Sequence, residues 1–344
     1  MTSLYDSICR LNRPYLIAEA GVNHNGNINL AYRLIDAAKQ SGADAVKFQI
    51  FKTENLLTLS APLAEYQKKE GLVSQFEMAK QLELSFDDFK ALKNYSEKVG
   101  ITFLSTPDDE ESLEFLNGLG VALIKIGSGE VTNLPFLRLV AKTKKFIILS
   151  TGMSTLEEVQ EAVKAIFNEG NQQLILLHCV SAYPAPVEQI HLRAMETLKT
   201  TFKLPVGFSD HTLGISISLA AAALGAKVIE KHLTIDKNLS GPDHASSLNP
   251  AEMKSLAEGL AQVAMALGNG VKKPAPCEIN TKTVVRKSIV VNKDLKKGDI
   301  ISALDLACKR PGNGIAPKYL DKIVGLKVKK TIKKDTLLTW DMLQ

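Results

Sequence analysis

The chain has 344 residues, of which 45% are hydrophobic and 23% are charged, and its formal net charge is +5. This length exceeds that of an ordinary compact domain and fits a barrel followed by a small module. The mildly basic balance gives no reason to expect a nucleic-acid partner. No apolar stretch is long and pure enough to span a membrane, and the first residues lack the apolar segment of a secretory signal.

The cysteine pattern argues against a disulfide framework. The four cysteines, Cys9, Cys179, Cys277 and Cys308, show neither CxxC pairs nor the regular spacing of a cross-linked secreted domain. Cys179 lies in an apolar run and is expected to be a buried thiol. We therefore expect a protein of the reducing cytoplasm.

Strand-like apolar runs alternate with amphipathic helical segments along most of the chain. Eight such runs are found, at 15–21, 45–51, 101–106, 123–128, 146–151, 174–180, 206–209 and 228–232. Eight strand–helix units are the number that a closed (β/α)8 TIM barrel requires. The sequence therefore predicts an α/β fold with a parallel barrel, whose active site lies at the carboxyl ends of the strands.

The pattern changes after residue 267. Gly268-Asn269-Gly270 and Pro274-Ala275-Pro276 indicate a linker, and short strands between glycine and proline turns follow it. We predict a catalytic barrel domain at 1–267, a linker at 268–284 and a small domain at 285–344. A domain of about sixty residues has a thin core and gains stability from docking on another surface.

Two lysines, Lys47 and Lys125, lie inside apolar strands. A lone buried lysine is costly, so each requires an anionic partner. That partner is either a carboxylate such as Glu19 or Glu130 or an anionic substrate. Hydroxyls follow other strands and are expected at the same rim: Thr106, Ser128 and Ser209. Ammonium and hydroxyl donors together favour a phosphate site.

Histidines lie at the ends of the last two predicted strands: His211 follows the seventh strand, and His232 ends the eighth. Two imidazoles on neighbouring strands can share one divalent metal ion, with Asp210 and Glu230 as candidates to orient them. The alternative is that both are hydrogen-bonded structural histidines.

Three further segments belong to the same predicted rim. Asn23 and His24 follow the first strand directly. Tyr183 follows the sixth strand, where its ring either plugs the loop or forms a wall of the substrate site. Asp243 lies in a loop after the eighth strand and is placed to hold substrate hydroxyls.

Taken together, these motifs resemble those of the sialic acid synthase family, which includes N-acetylneuraminate and N,N'-diacetyllegionaminate synthases. The matching segments are AEAGVNHNG at 18–26, VKFQ at 46–49, KIGSGE at 125–130, STGM at 150–153, SDH at 209–211, EKH at 230–232, SGPD at 240–243, RKS at 286–288 and KRPGNG at 309–314. The resemblance runs from about residue 15 to the end. It implies a TIM barrel followed by an antifreeze-like (SAF) domain. It also implies a domain-swapped homodimer, in which Arg310 reaches the partner's site to hold the N-acyl sugar.

The reaction that the resemblance implies is condensation of phosphoenolpyruvate with an N-acetylated mannosamine-type sugar. The products are a nine-carbon acid, N-acetylneuraminate, and phosphate, released with C–O cleavage. The alternative acceptor is 2,4-diacetamido-2,4,6-trideoxymannose, which gives N,N'-diacetyllegionaminate. A Schiff-base aldolase and a non-catalytic sugar-binding protein are the other hypotheses.

The resemblance also implies roles for individual residues. The phosphoenolpyruvate ligands would be Lys47, Thr106, Lys125, Ser128, Ser181 and Ser209. A divalent metal, Mn²⁺ or Mg²⁺, would bind His211 and His232. Glu19 would position or deprotonate the attacking water, with Glu130 as a supporting carboxylate, and Tyr183 and Asp243 would contact sugar hydroxyls.

Two positions depart from the family pattern. Ser181 stands where asparagine or threonine is common, and it remains a hydrogen-bond donor. Asp108 stands where an aromatic residue is frequent. Because a carboxylate beside a phosphate site is unfavourable, we expect Asp108 to cap the following helix instead.

Overall fold

The computed structural model describes residues 3–63 and 74–344. The chain divides into two compact units, Met1–Gly268 and Asn269–Gln344. The strands of the first unit are β1 Tyr15–Gly21, β2 Ala45–Ile50, β3 Thr102–Pro107, β4 Leu123–Ile126, β5 Phe146–Ser150, β6 Leu174–Cys179, β7 Val206–Asp210 and β8 Val228–His232; the second unit has β9 Ser288–Val291 and β10 Leu306–Lys309.

Helices connect these strands in alternation. They are α1 Leu4–Arg10, α2 Ile28–Gln40, α3 Thr53–Leu56, α4 Gln75–Leu82, α5 Phe86–Val99, α6 Glu110–Leu119, α7 Leu134–Lys142, α8 Leu156–Asn168, α9 Ala194–Phe202, α10 Ser216–Ala223, α11 Pro250–Leu267, α12 Ile279–Val285 and α13 Leu320–Ile323. Side-chain capping fixes several starts. Reciprocal capping boxes join Ser85 to Asp88 at α5 and Thr155 to Glu158 at α8.

The eight strands of the first unit form one parallel sheet that closes into a barrel. Their hydrogen-bonded order is β3-β2-β1-β8-β7-β6-β5-β4. The two end strands, β3 and β4, pack against each other and so complete the ring. Closure brings all eight carboxyl ends to one rim, as the sequence predicts.

The alternation of side chains along each strand determines which residues reach the barrel interior. In β1, Leu16 and Ala18 pack outward against the helices, whereas Ile17 packs inside the barrel. The interior apolar layer also includes Leu104, Leu123 and other strand residues. Glu19 follows Ile17 by two positions and therefore lies one layer above it, toward the carboxyl rim.

A short helix, α1, covers the opposite end of the barrel. Its Ile8 is buried in the same cluster as the inward-facing residues at the strand starts, such as Tyr15 and Phe146. Ser3 caps the helix by accepting a hydrogen bond from the Asp6 amide. The sequence patterns above predict no helix here, and α1 closes the end of the barrel opposite the carboxyl rim.

Six of the eight barrel strands end one or two residues from the predicted position, and two of these differences, in β4 and β7, concern residues of the carboxyl rim. β4 stops at Ile126 rather than at residue 128, because Ser128–Glu130 turns into a 3-10 helix after Gly127. β7 continues one residue further, to Asp210. No described helix is long and apolar enough to cross a membrane.

The second unit has its own small core. β9 and β10 pair antiparallel, with Leu306 opposite Val291 and Lys309 opposite Ser288. Ile289, Ile323 and Val328 are among the fully buried residues of this core. The predicted linker, residues 268–284, contributes no buried side chain.

Candidate active site

A cavity of about 540 Å³ opens at the carboxyl rim of the barrel. The barrel residues predicted as catalytic groups or as ligands of substrate or metal all line it: Glu19, Lys47, Thr106, Lys125, Ser128, Glu130, Ser181, Tyr183, Ser209, His211, His232 and Asp243. The topology brings together side chains that lie more than two hundred residues apart in the chain. Arg310 lies in the second unit, where it is exposed.

Two lysines and two carboxylates form the floor of this cavity. Lys47 Nζ lies 2.6 Å from Glu19 Oε2 and 3.7 Å from Glu230 Oε2. Lys125 Nζ lies 3.6 Å from Glu230 Oε1. All four side chains are almost fully buried. Each lysine therefore has a carboxylate partner, as one hypothesis predicts. Each also faces the cavity, where it can contact an anionic substrate, as the other predicts.

The two carboxylates differ in their affinity for protons. Burial raises the pKa of Glu19 to about 7, against the opposing effect of Lys47. Burial acts on Glu230 in the same direction, but Lys125 and Lys47 outweigh it and lower its pKa to about 2. Glu230 is thus the permanent counter-ion, and Glu19 can exchange a proton near neutral pH.

Hydroxyl groups surround the lysines. Thr106 Oγ1 accepts a hydrogen bond from Lys47 Nζ at 2.9 Å, and Ser209 Oγ donates one to Glu230 Oε1 at 2.9 Å. Ser128 Oγ accepts one from the Gly152 amide at 2.8 Å. These groups, with Ser181, provide the donors that a multiply charged anion requires.

Gly152 lies close to two of these hydroxyls, those of Ser128 and Ser181. A Cβ atom at this position would come within 2.4 Å of Ser181 Oγ, 2.8 Å of Cys179 Sγ and 2.9 Å of Ser128 Oγ. A side chain at position 152 would therefore clash with Ser128 and Ser181, and only glycine lets the backbone come this close to their hydroxyls. We call these two hydroxyls, with Lys47, Lys125, Thr106 and Ser209, the phosphate cradle.

The two histidines lie side by side, with ring centroids 5.5 Å apart. His211 Nδ1 donates to Val180 O at 2.7 Å, which leaves its Nε2 as the lone-pair nitrogen of the neutral ring. His232 Nδ1 is buried and has no hydrogen-bond partner among the described residues. Burial lowers the pKa of both rings, so both stay neutral at physiological pH.

This pair fits a divalent metal ion as two neutral nitrogen ligands that face the same cavity. Among the described residues, no group of three or more His, Cys, Asp or Glu side chains forms a ready metal cage. Asp243 Oδ2 lies 3.8 Å from His232 Nδ1. A metal held here would therefore depend on water or substrate for its remaining ligands.

The rim of the cavity carries aromatic and acidic groups. The Tyr183 and His211 ring centroids lie 4.3 Å apart, with the ring planes tilted by 37°. Asp243 is buried, and burial raises its pKa to about 6. Glu130 lies in the 3-10 turn after β4, where its Oε2 accepts a hydrogen bond from Asn133 at 2.7 Å. Glu130 is thus a rim group, whereas Glu19 belongs to the floor.

Three expectations from the sequence are wrong. Asp210 does not orient His211; it points outward and pairs with Lys231, at 3.1 Å between Oδ2 and Nζ, where both side chains are fully buried. Strand alternation explains this, because a residue beside an inward-facing histidine must face outward.

The second concerns Asn23 and His24, which do not line the cavity. The Asn23 amide instead donates hydrogen bonds to Leu233 O and Ser247 Oγ.

The third error concerns the start of α6. Asp109, not Asp108, is the N-cap, because its side chain accepts a hydrogen bond from the Ser112 amide. Asp108 lines the cavity instead. The sequence interpretation also missed Glu230 as the counter-ion of both lysines; its position two residues before His232 in β8 was the available signal.

Comparison with known proteins identifies the family. The NeuB family model matches residues 34–272, and the SAF domain model matches residues 286–344. The chain is 49% identical over 332 residues to N,N'-diacetyllegionaminic acid synthase of Campylobacter jejuni, covering 95% of this chain and 99% of that protein. It is 37% identical over 328 residues to human N-acetylneuraminate-9-phosphate synthase, covering 93% of this chain and 90% of that protein.

Solved structures agree with these matches. A crystal structure of N-acetylneuraminic acid synthetase from Leptospira borgpetersenii is similar with a TM-score of 0.71 and 36% identity, covering 78% of this chain and 90% of that one. The spore coat polysaccharide biosynthesis protein SpsE of Bacillus subtilis gives a TM-score of 0.65 and 34% identity, covering 96% and 95%. The chain therefore belongs to the NeuB family of sialic acid synthases and carries a C-terminal SAF domain.

Proposed function

We propose that this enzyme condenses phosphoenolpyruvate with 2,4-diacetamido-2,4,6-trideoxymannose to give N,N'-diacetyllegionaminate and phosphate. The observation that carries the reaction class is the buried floor of two lysines and hydroxyls beside a carboxylate whose pKa is about 7. Phosphoenolpyruvate carries several negative charges, and cations with hydroxyl donors are the groups that bind it. Lys47, Lys125 and the hydroxyls of Thr106, Ser128, Ser181 and Ser209 are its proposed ligands.

The choice of acceptor rests on the relatives. Besides the Campylobacter protein, the N,N'-diacetyllegionaminic acid synthase of Legionella pneumophila is 47% identical to this chain over 336 residues. The human N-acetylneuraminate-9-phosphate synthase is 37% identical to this chain, which is ten percentage points less than the Legionella protein. These names favour the legionaminate alternative over N-acetylneuraminate, the first expectation from the sequence.

In the proposed reaction the C3 carbon of phosphoenolpyruvate forms a bond to the aldehyde carbon of the open-chain sugar. The aldehyde oxygen gains a proton, and positive charge develops at C2 of the former phosphoenolpyruvate. Water adds to C2 and gives one proton to a base; the C2–O bond to phosphate then breaks, the remaining hydroxyl proton passes to the departing phosphate, and C2 becomes the ketone. Glu19 is the proposed base, because its carboxylate lies on the floor and its pKa is near neutral. Glu130 and Asp243, with Tyr183, would hold sugar hydroxyls at the rim.

A divalent metal, Mn²⁺ or Mg²⁺, is the proposed cofactor, held by His211 and His232. When bound, such an ion supplies Lewis-acid polarisation of a carbonyl oxygen. The chain's own contribution is to keep both imidazoles neutral by burial and to fix His211 through its bond to Val180 O.

Gly152→Ala tests the proposed phosphate cradle. The added methyl would meet three side-chain atoms at less than 3 Å, and such overpacking typically costs about 1–3 kcal/mol. We expect the KM for phosphoenolpyruvate to rise by about tenfold while the acceptor KM stays within threefold. Steady-state kinetics with each substrate varied in turn measure both. An unchanged KM for phosphoenolpyruvate would place the donor elsewhere in the cavity.

The proposed assembly is a domain-swapped homodimer in which Arg310 completes the partner's site. Mixing Glu19→Gln chains with Arg310→Ala chains tests it after dissociation and reassociation. If the domain is swapped, the mixed dimer contains one intact site, and activity returns to about a quarter of wild type. Activity that stays at the level of the separate variants would show that each Arg310 serves its own chain or no site.

The test of the function itself is phosphate release from phosphoenolpyruvate in the presence of Mn²⁺. We expect release with 2,4-diacetamido-2,4,6-trideoxymannose and at least tenfold slower release with N-acetylmannosamine. The reverse order would return the assignment to N-acetylneuraminate. Borohydride in the presence of substrate checks the aldolase hypothesis, because only a lysine imine would be trapped.

A further inference from the structure

Asp108 extends the third strand into the active-site cavity. β3 ends at Pro107, and the Asp108 amide continues the ladder by donating to Ile50 O at 3.1 Å. Its side chain is half-buried and lines the cavity together with Lys47 and Glu130. The backbone position is therefore fixed by the sheet, and the carboxyl group is presented to the space where substrates would bind.

Neither helix capping nor an ion pair within the described residues accounts for the Asp108 carboxyl group. Capping of α6 belongs to Asp109, whose Oδ2 also accepts hydrogen bonds from Ser112 Oγ at 2.7 Å and from the Lys52 amide at 2.7 Å. Within residues 3–63 and 74–344, the Asp108 carboxyl forms neither a hydrogen bond nor an ion pair within 4 Å. Neither oxygen of this carboxyl group is among the buried polar atoms without a partner, so the group is open to the cavity, and a substrate there can donate a hydrogen bond to it.

The charges around Asp108 indicate which ligand this is. Burial raises its pKa to about 7; Lys47 opposes the rise, and Glu130 adds to it. Lys47 is held on the floor by its ion pair with Glu19, at 2.6 Å, and does not form an ion pair with Asp108. An anionic substrate would be repelled by Asp108 and Glu130 together, whereas a neutral molecule rich in O–H and N–H donors would be attracted.

We propose that Asp108 is a binding residue for the acceptor sugar, whose hydroxyl or amide N–H donates a hydrogen bond to its carboxyl oxygen. The inference rests on the proposed function and adds to it, because it assigns the two substrates to different parts of the cavity. The lysine floor receives the phosphorylated substrate, and the side of Asp108 and Glu130 receives the uncharged one. Glu130 supports this division, because its Oε2 is already fixed by Asn133 at the rim.

Kinetics of Asp108→Ala and Asp108→Asn test the proposal. We expect the acceptor KM to rise by about tenfold in the alanine variant, the typical effect of losing a hydrogen bond to a charged group. The asparagine variant keeps an acceptor oxygen, and its KM should rise by about threefold. The KM for phosphoenolpyruvate should stay unchanged or fall, because a negative charge near its site is lost.

Glu114→Gln is the matched control, since Glu114 is exposed on α6 and the change removes one negative charge from the neighbouring helix. Thermal unfolding with phosphoenolpyruvate alone gives a second readout. Stabilisation of Asp108→Ala by phosphoenolpyruvate should equal or exceed that of wild type.

Two results would overturn the role of Asp108 and leave the proposed function standing. One is an acceptor KM that does not change in Asp108→Ala, and the other is a KM for phosphoenolpyruvate that rises as much as the acceptor KM. If wild-type protein releases no phosphate with either sugar, the proposed function is rejected, and this inference is rejected with it. The wild-type assay therefore separates failure of the function from failure of this residue's role.

Discussion

Glu19→Gln is expected to lower kcat by about 10²- to 10⁴-fold, the usual contribution of a positioned general base. Glutamine keeps the size of the side chain and a carbonyl oxygen but cannot take a proton. Lys47 retains Glu230 at 3.7 Å, so the donor site keeps its cation and a counter-ion. The KM for phosphoenolpyruvate should therefore change by less than about fivefold. Steady-state kinetics of phosphate release measure both quantities.

Glu161→Gln is the control for this variant, because Glu161 is exposed on α8, away from the cavity. Thermal unfolding of both variants checks that the buried floor still folds. A properly folded Glu19→Gln enzyme with kcat within threefold of wild type would remove Glu19 from the chemistry and leave it as an ion-pair partner of Lys47.

His232→Ala is expected to abolish metal binding and turnover. Changes to groups that only hydrogen-bond a metal ligand cost about 10- to 100-fold in metal affinity. Loss of one of two protein ligands should cost more than that. The affinity for Mn²⁺, measured by electron paramagnetic resonance in the absence of substrates, gives a readout that does not depend on activity. Chelation of wild-type enzyme should reproduce the loss of turnover, and added Mn²⁺ should reverse it.

His191→Asn is the matched control for this experiment. His191 is exposed and has a positive φ of 47°, a conformation that asparagine tolerates. Its metal affinity should equal that of wild type. Retention of Mn²⁺ binding and turnover by His232→Ala would contradict the two-histidine site.

The barrel could be predicted because its signals are local and repeated. Runs such as 174–180 and 228–232 are rich in apolar and β-branched residues, and amphipathic segments lie between the runs. The short helix α1 was missed, although Ser3 and Asp6 carry a capping signal and Tyr5, Ile8 and Cys9 lie at helical spacing. Its burial depends on the barrel floor, which is assembled from residues far away in the chain.

The strand-end rule located most of the site. Lys47 and Lys125 are indicated because charged residues inside apolar strands must have partners, and His211 and His232 because they come from neighbouring strand ends. What the sequence could not supply is the pairing among them. Lys47 contacts both Glu19 and Glu230, which come from different strands, and only the order of strands around the barrel makes them neighbours.

Errors arose where two adjacent residues compete for one role. Asp108 and Asp109 are chemically identical, and the choice of helix cap depends on where the backbone leaves the strand. Asp210 and His211 present the same problem, since alternation puts one inward and the other outward. The buried ion pair between Asp210 and Lys231 shows that Asp210 faces outward, toward the helices, and that His211 faces the cavity.

The most direct test of the central claim uses phosphoenolpyruvate that carries oxygen-18 at the oxygen bridging carbon and phosphorus. The labelled substrate is incubated with 2,4-diacetamido-2,4,6-trideoxymannose and Mn²⁺, and the products are analysed by mass spectrometry. Condensation with C–O cleavage predicts that the label appears in the released phosphate. Label retained in the nine-carbon acid would mean that the P–O bond breaks, and would contradict the role assigned to Glu19 and its water.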